Sequence, residues 1–257
     1  MPRITKLSRS VAGKVVIVTG AGSGMGRATA WLFADEGAKV AVTDLKGQQE
    51  VVDTITAAGG TAHAWHLDVS NQQNVEQVIA EVAERFGGID ILINNAGIST
   101  PAPIDSQGYE AVWARGVDVL LTAHTRTIRA ALPWLRKSSS PRIVNIASTE
   151  GLGATKGISP YTAAKHGVIG LTRSLAVELG GEAINVNCIC PGPIDTAMTA
   201  RIPEDQRKKY AHRRVPLNRY ADPEEVAQMT LSICLPAASF LTGATIPVDG
   251  GLTIRNA

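Results

Sequence analysis

The chain carries three cysteines in 257 residues, aromatic residues at only 4%, a net charge of just +2, and no long apolar run. Each scarcity excludes something. An odd, low cysteine count does not suit a secreted disulfide framework and agrees with a reducing compartment. A net charge this small gives no whole-protein field of the kind that draws nucleic acid. No run reaches the roughly 18 apolar residues that a membrane span needs, and the basic, polar segment from Met1 to Ser10 has no apolar core, so it is expected to be neither a signal peptide nor a membrane span. The expectation is a soluble, cytoplasmic protein that meets a small molecule, with no nucleic acid and no membrane as partner. Metal is not expected either. Cys188 and Cys190 alternate along an apparent strand and face one side, but no further ligand stands near them. His63, His66, His124, His166 and His212 make no constellation and read as ordinary surface or core residues.

What is present is alternation. Apolar residues at 44% and charged ones at 19% are ordinary globular values, and the length suits one domain over 1–257, with 1–10 as a polar tail. Lys14 to Thr19 is an apolar run rich in Val and Ile. It ends in glycines at 20, 22, 24 and 26 and is followed by a helical pattern from Arg27 to Glu36, which predicts strand, tight turn and helix. Glycine lets the backbone come close to a pyrophosphate, and the free N–H groups of a helix start favour its charge, so the turn is a phosphate cradle or a structural turn. The spacing G-x-x-x-G-x-G departs from the commonest dinucleotide fingerprint. A second strand, Ala38 to Thr43, ends in Asp44, 20 residues beyond Gly24, where a carboxylate holds a ribose hydroxyl.

The alternation continues with a helix over Gln48 to Ala58, a strand over Thr61 to Leu67, a helix opened by a Ser70–Gln73 capping box and running to Phe86, and a strand over Ile89 to Ile93. Such alternation makes a parallel sheet. Asp68 and Val69 close the third strand, where Asp68 reaches an adenine or simply leads the helix. Asn94-Asn95-Ala96-Gly97 closes the fourth and is expected both to stabilise the sheet and to edge a ligand. Gln107 to Lys137 is a long helical stretch with Arg126, Arg129 and Arg136 on a solvated face. Arg142 to Ala147, Ile184 to Cys190 and Ala244 to Val248 are the remaining strands, and Tyr161 to Gly180 is a helix. Residues 194–220 are polar and basic without a sheet pattern, an excursion that reads as a lid. Asp222-Pro223-Glu224-Glu225 is a strong helix start.

Tyr161 and Lys165, four apart at a helix start, share one face. A tyrosine has a pKa of about 10, and a nearby ammonium favours its phenolate, so the pair suits acid–base work near neutrality. Ser148 closes the fifth strand at the same sheet edge as the glycine turn and offers a hydroxyl to an oxygen on which charge develops.

These pieces together resemble the short-chain dehydrogenase/reductase family: TGAGSGMG at 19–26, DV at 68–69, NNAG at 94–97, NIAS at 145–148, YTAAK at 161–165, PGPIDT at 191–196 and VDGG at 248–251. The resemblance runs from about Lys14 to Leu252. It implies a single-domain Rossmann-type doubly wound sheet of seven mainly parallel strands. It also implies a nicotinamide cofactor held by Gly20, Ser23, Gly24, Met25, Gly26, Asp44, Asp68, Val69, Asn95, Ala96, Gly97, Tyr161, Lys165, Pro191, Gly192, Ile194 and Thr196. Hydride passes between that cofactor and a carbinol carbon. In that mechanism Tyr161 exchanges the proton, Lys165 lowers its pKa and holds the ribose, and Ser148 orients the substrate oxygen. The family's usual dimers or tetramers imply a homo-oligomer.

Asp44 would accept from both ribose hydroxyls of NAD and repel a 2′-phosphate, and Ser23 stands where NADP users often carry a basic residue, so NAD is the expected cofactor. The substrate pocket is expected around Ser148, Glu150, Gly151, Ile158, Pro160, Tyr161, Pro191 to Ile194 and the 195–220 segment, a mixture that suits a mainly apolar secondary alcohol or ketone. Glu150 either binds a second hydroxyl or is an exposed loop carboxylate. The basic residues of 207–214 raise a second reading, a 3-oxoacyl thioester reductase, against which Val177 stands where such reductases carry a basic residue. One departure matters: Leu120 occupies the place of the family's usual asparagine, which holds a water linking the lysine to solvent. Either the relay is rerouted, or the enzyme is slow, or the fold serves as a non-catalytic NAD-binding scaffold or sensor.

Overall fold

The computed structural model describes residues 4–256; residues 1–3 of the expected polar tail lie outside them. Seven strands form one sheet: β1 Val15–Thr19, β2 Lys39–Asp44, β3 Thr61–His66, β4 Ile91–Asn94, β5 Arg142–Ile146, β6 Asn185–Pro191 and β7 Thr245–Val248. Their order is β3-β2-β1-β4-β5-β6-β7, and every neighbouring pair is parallel. Parallel strands need crossovers, and eight helices provide them or flank them: α1 Gly24–Asp35, α2 Gln48–Ala57, α3 Gln72–Phe86, α4 Tyr109–Val117, α5 Ala123–Leu135, α6 Ser159–Leu179, α7 Glu204–Arg214 and α8 Pro223–Cys234.

The period of two along each strand divides the core. Val16, Val18, Val40, Val42, Ile91 and Ile93 point to one face and meet Ala30 and Phe33 of α1, Val51 and Ile55 of α2, and Val226 and Ile233 of α8. Val15, Ile17, Ala41, Leu92 and Ile143 point to the other and meet Val75 and Val78 of α3, Ile128 of α5, and Leu179 of α6. Covered on both sides, central strands such as β1 are buried along their whole length, which explains their continuous apolar runs. The chain moves outward from β1 to β3 and then returns to the opposite side of β1 for β4. That reversal opens a crevice at the carboxyl ends of β1 and β4.

Three local expectations change. The cap of α3 is Asn71, whose side chain accepts from the Asn74 N–H at 3.0 Å, because Ser70 is already engaged by Asp68. The long helix of 107–137 is two helices joined by a π-turn over Asp118–Thr122. Arg126, expected on a solvated face, is partly buried and pairs with Asp118 at 2.6 Å, and Arg136 forks onto Glu182; Arg129 alone of the three is exposed without such a pair. The start of α8 is as expected: Asp222 and Glu225 form a reciprocal capping box, and Arg219 clamps Glu225, holding its carboxyl down at about 2.

Candidate active site

Backbone geometry builds the first wall of the crevice. Gly20 has φ +65°, and a Cβ there would come within 2.7 Å of the Ala96 Cα, so glycine alone lets β1 leave the sheet this close to the exit of β4. Gly22 donates its N–H to Asp44 Oδ2 at 2.8 Å, and a Cβ on Gly22 would sit 2.0 Å from the Lys46 carbonyl oxygen. Turn and β2 end are therefore locked together. The Ser23 side chain makes no cap bond to α1, leaving first-turn N–H groups of that helix free at the crevice.

A cavity opens above this turn. It is lined by Gly20, Ser23, Gly24, Met25, Asp44, Asp68, Val69, Asn95, Ala96, Gly97, Tyr161, Lys165 and Thr196. Asp44 is preset, with Oδ1 accepting from Leu45 N at 2.6 Å. Asp68 accepts from both the N–H and the hydroxyl of Ser70, and the hydroxyl bond leads in holding its carboxyl below the usual range. Asn95 turns its amide to the Thr19 and Gly20 carbonyls at 2.9 and 3.1 Å, tying β4 to the turn.

The chemistry-bearing side chains stand across the cavity. Ser148 caps a single 3₁₀ turn after β5 and accepts from Glu150 N at 3.1 Å. Pro160 in the first turn of α6 starts that helix, which places Tyr161 and Lys165 one turn apart. Lys165 is 3% exposed; its Nζ donates to the Ile146 carbonyl at 2.7 Å and lies 5.6 Å from the Tyr161 ring centroid. Burial brings the ammonium down to about 8, with Cys188 and Cys190 pulling the other way. For Tyr161 the expected depression by Lys165 is corrected. Burial raises this phenol, the Ser148 hydrogen bond is the influence that lowers it, and the Glu150 charge adds to the rise. The ammonium lies beneath the ring and is turned to Ile146.

Behind these groups lies a buried polar network. Thr127 donates to Asn94 Oδ1 at 2.6 Å, Asn94 Nδ2 to Asn145 Oδ1 at 3.0 Å, and Asn145 Nδ2 to Thr172 Oγ1 at 3.0 Å, while His124 Nδ1 stands 3.2 Å from Asn145 Oδ1. Leu120 is fully buried in the π-turn and packs against Gly97.

A family model described as enoyl-(acyl carrier protein) reductase matches residues 20–253. The chain is 42% identical over 242 residues to meso-2,3-butanediol dehydrogenase of Serratia marcescens, covering 93% of this chain and 94% of that one. It is 38% identical to 3-oxoacyl-(acyl-carrier-protein) reductase of Thermotoga maritima, covering 94% and 98%. Among solved structures, a candidate NAD(P)-dependent gluconate 5-dehydrogenase of Beutenbergia cavernae with NADP bound superposes with TM-score 0.90 at 36% identity, covering 96% and 99%. The chain belongs to the short-chain dehydrogenase/reductase family. It is an oxidoreductase acting on CH–OH donors, in a family whose members use NAD(P).

Not every residue expected at this dehydrogenase's cofactor site lines the cavity. Gly26 is a packing glycine, since a Cβ there would come within 2.1 Å of the Gly20 carbonyl oxygen. Gly192 likewise lies against the Asp249 backbone, Pro191 belongs to β6, and Ile194 is buried beside Ala221. On the substrate side, Ser148 and Ile158 are half-buried outside this cavity, and Gly151 and Pro160 are buried rather than walls. Glu150 is neither free nor exposed: it accepts from Thr155 at 2.6 Å and Thr162 at 3.0 Å, fastening the loop before α6. Sequence reading missed Arg115, which lines the cavity and donates to Ser70; Met198, which also lines it, belongs to the expected 195–220 segment. His124, read as an ordinary surface or core residue, is a core residue of the polar network. No local spacing marks these residues, because their partners lie on other elements.

Proposed function

We propose that this enzyme interconverts a small, mainly apolar secondary alcohol, vicinal diols included, and its ketone, using NAD. The observation that carries the reading is the convergence of Tyr161, the strand-end Ser148 and the buried Lys165 beside a cavity whose opposite wall is a glycine turn. When bound, the nicotinamide supplies the hydride acceptor. Ser148 orients the carbinol oxygen, Tyr161 takes its proton in oxidation and returns it in reduction, and Lys165 holds the nicotinamide ribose. The glycine turn and the start of α1 hold the pyrophosphate, and Asp44 holds the adenosine ribose. The likeness to a butanediol dehydrogenase supports a small neutral substrate.

NAD rather than NADP is favoured by Asp44, whose carboxylate is fixed at the cavity edge, and by the neutral Ser23; Lys46 does not line the cavity. Asp44→Ala should lower the NAD-to-NADP ratio of kcat/KM by about tenfold or more, read from the two cofactors in parallel; an unchanged ratio refutes the assignment.

The second reading, a 3-oxoacyl thioester reductase, rests on the Thermotoga relative. Against it, Arg207 and Lys208 are already paired with Asp195 and Glu204, which leaves less free charge for an anionic carrier. We also infer a lid over 194–220, supported by Thr196 and Met198 at the cavity, and a homo-oligomer, supported by exposed Val177 and Phe240. Among the described residues no helix is long and apolar enough to cross a membrane.

The test mixes the protein with NAD and secondary alcohols, diols, sugars and 3-hydroxyacyl thioesters, and follows NADH absorbance. Tyr161→Phe should lower turnover by about 10³-fold with cofactor affinity retained. A Tyr161→Phe variant as active as the parent sinks the proposal.

A further inference from the structure

One side chain joins α4 to the exit of β3 at the cavity. Arg115, half exposed on α4, lines the cavity and donates from Nη1 to Ser70 Oγ at 3.0 Å. The direction of the chain that follows is forced. A guanidinium has no acceptor and a hydroxyl has one hydrogen, so Ser70 accepts from Arg115 and gives its own hydrogen to Asp68 Oδ1, at 2.6 Å. The Ser70 N–H reaches the same oxygen at 2.9 Å. Oδ1 is thereby engaged twice, while Oδ2 takes no hydrogen bond among the described residues. Bonds in series, with a cation at one end and a carboxylate at the other, strengthen one another.

The neighbours of Arg115 add a second tie. Asp118 lies 3.9 Å from Arg115 and 2.6 Å from Arg126, and Arg126 also reaches the Val69 carbonyl at 3.5 Å. The pair with Asp118 is too long for a hydrogen bond, so the 3.0 Å bond to Ser70 is what fixes the guanidinium. Asp68 and Val69, which line the cavity, are thus held from α4 through Ser70 and from α5 through the Val69 carbonyl. The Ser70 hydroxyl bond leads in keeping the Asp68 carboxyl below the usual range, and the Arg115 charge is a smaller influence in the same direction. A fixed carboxylate with one free oxygen, beside the apolar Leu67 and Val69, suits a flat heteroaromatic base that offers an N–H and disfavours one that offers a carbonyl there.

We propose that Arg115 is a positioning residue for the base of the cofactor: acting through Ser70, it fixes Asp68 so that the free oxygen Oδ2 accepts from the exocyclic amine of adenine. The proposal rests on the nicotinamide-cofactor reading above, with Asp68 at the adenine end. Two blander roles have to be separated from this one. As a cation at the cavity, Arg115 attracts the pyrophosphate of any dinucleotide, and as a link between α4 and Ser70 it adds to stability. Neither depends on which base is bound.

The experiment measures, by calorimetry on the full chain, the dissociation constants of NAD and of nicotinamide hypoxanthine dinucleotide, in which a carbonyl replaces the adenine amine. The parent should bind NAD about tenfold more tightly, the discrimination that one hydrogen bond to a charged group gives. Arg115→Met keeps an apolar stem and removes the guanidinium, and its ratio should fall to about threefold or less. Ser70→Ala should lower the ratio as far, and the double variant no further than either alone, because the three groups act as one chain. Equal affinities in the parent, an equal loss for both dinucleotides in Arg115→Met, or losses of discrimination that add in the double variant overturn the proposal; if Ser70→Ala does not fold, Arg115→Met decides alone. The assay needs no turnover, so a wrong substrate class would appear separately, in Tyr161→Phe. A wrong choice between NAD and NADP would appear in Asp44→Ala, because the two dinucleotides compared here carry the same riboses.

Discussion

The β1–β3 half and the β4–β6 half of the sheet offer their carboxyl ends to one cavity in different currencies. The first presents backbone: Gly20, Gly22 and Gly24, free N–H groups of α1, and two carboxylates each pinned by main-chain N–H donors. The second presents side chains, with Lys165 set before the interlocked Asn94, Asn145, Thr127, Thr172 and His124. A wall made of backbone fails when an atom is added. A wall made of buried polar side chains fails when a partner is removed, because the groups left behind lose hydrogen bonds that water cannot restore.

The sharpest way to break the comparison is therefore at glycine. Gly22→Ala forces a Cβ to 2.0 Å from a backbone carbonyl oxygen, and neither side can yield without moving Asp44. We expect a loss of about 3 kcal/mol in denaturant unfolding together with loss of NAD binding by calorimetry. Gly59→Ala, at φ +86° with open space around it, should cost about 1 kcal/mol and leave binding intact. If the two variants behave alike, the turn is not a cradle.

The other half is tested by removing its charge. Lys165 titrates near 8 in the folded protein and at about 10.4 when unfolded. Between those values the unfolded chain binds more protons, so this group makes stability rise with pH across that window and costs stability below it. Lys165→Met should therefore raise Tm at pH 7, by the equivalent of about 1–3 kcal/mol, while abolishing turnover. Its advantage over the parent should shrink from pH 8 to pH 10. An advantage that is flat with pH would show that the ammonium carries no burial cost.

The same contrast explains what the sequence disclosed. Periodicities of 2 and 3.6 match every strand to within a few residues and the helices too, except that α4 and α5 read as one and α7 is not seen, and the locked turn at Gly20 to Gly26 is legible because backbone features are written in consecutive residues. The Ser70–Gln73 capping box failed because Asp68 competes for Ser70, and Asn71 stands ready to replace it. Of the two readings of Glu150, the exposed loop carboxylate does not hold, because its partners are Thr155 and Thr162, on the loop and the helix beyond it. The sequence reads His124 as an ordinary surface or core residue, and its hydrogen-bonded state stays hidden for a stronger reason. Its tautomer depends on a chain of bonds through Asn145, Thr172 and Val168, whose order appears only when α5, β5 and α6 are packed together.

The smallest effect is expected at Leu120, and it bears on whether the side-chain wall needs its missing asparagine. Leu120 is fully buried against Gly97, so Leu120→Asn exchanges apolar packing for an amide that must find partners, at a cost of about 1–3 kcal/mol if it finds none. The π-turn over Asp118–Thr122 forms with leucine present, so its geometry does not depend on a polar side chain there. Turnover should persist within a few-fold of the parent, with the pH profile unmoved. A large gain would mean that Leu120 holds the enzyme back, and complete loss of turnover in a folded variant would show that the wall requires leucine at this position.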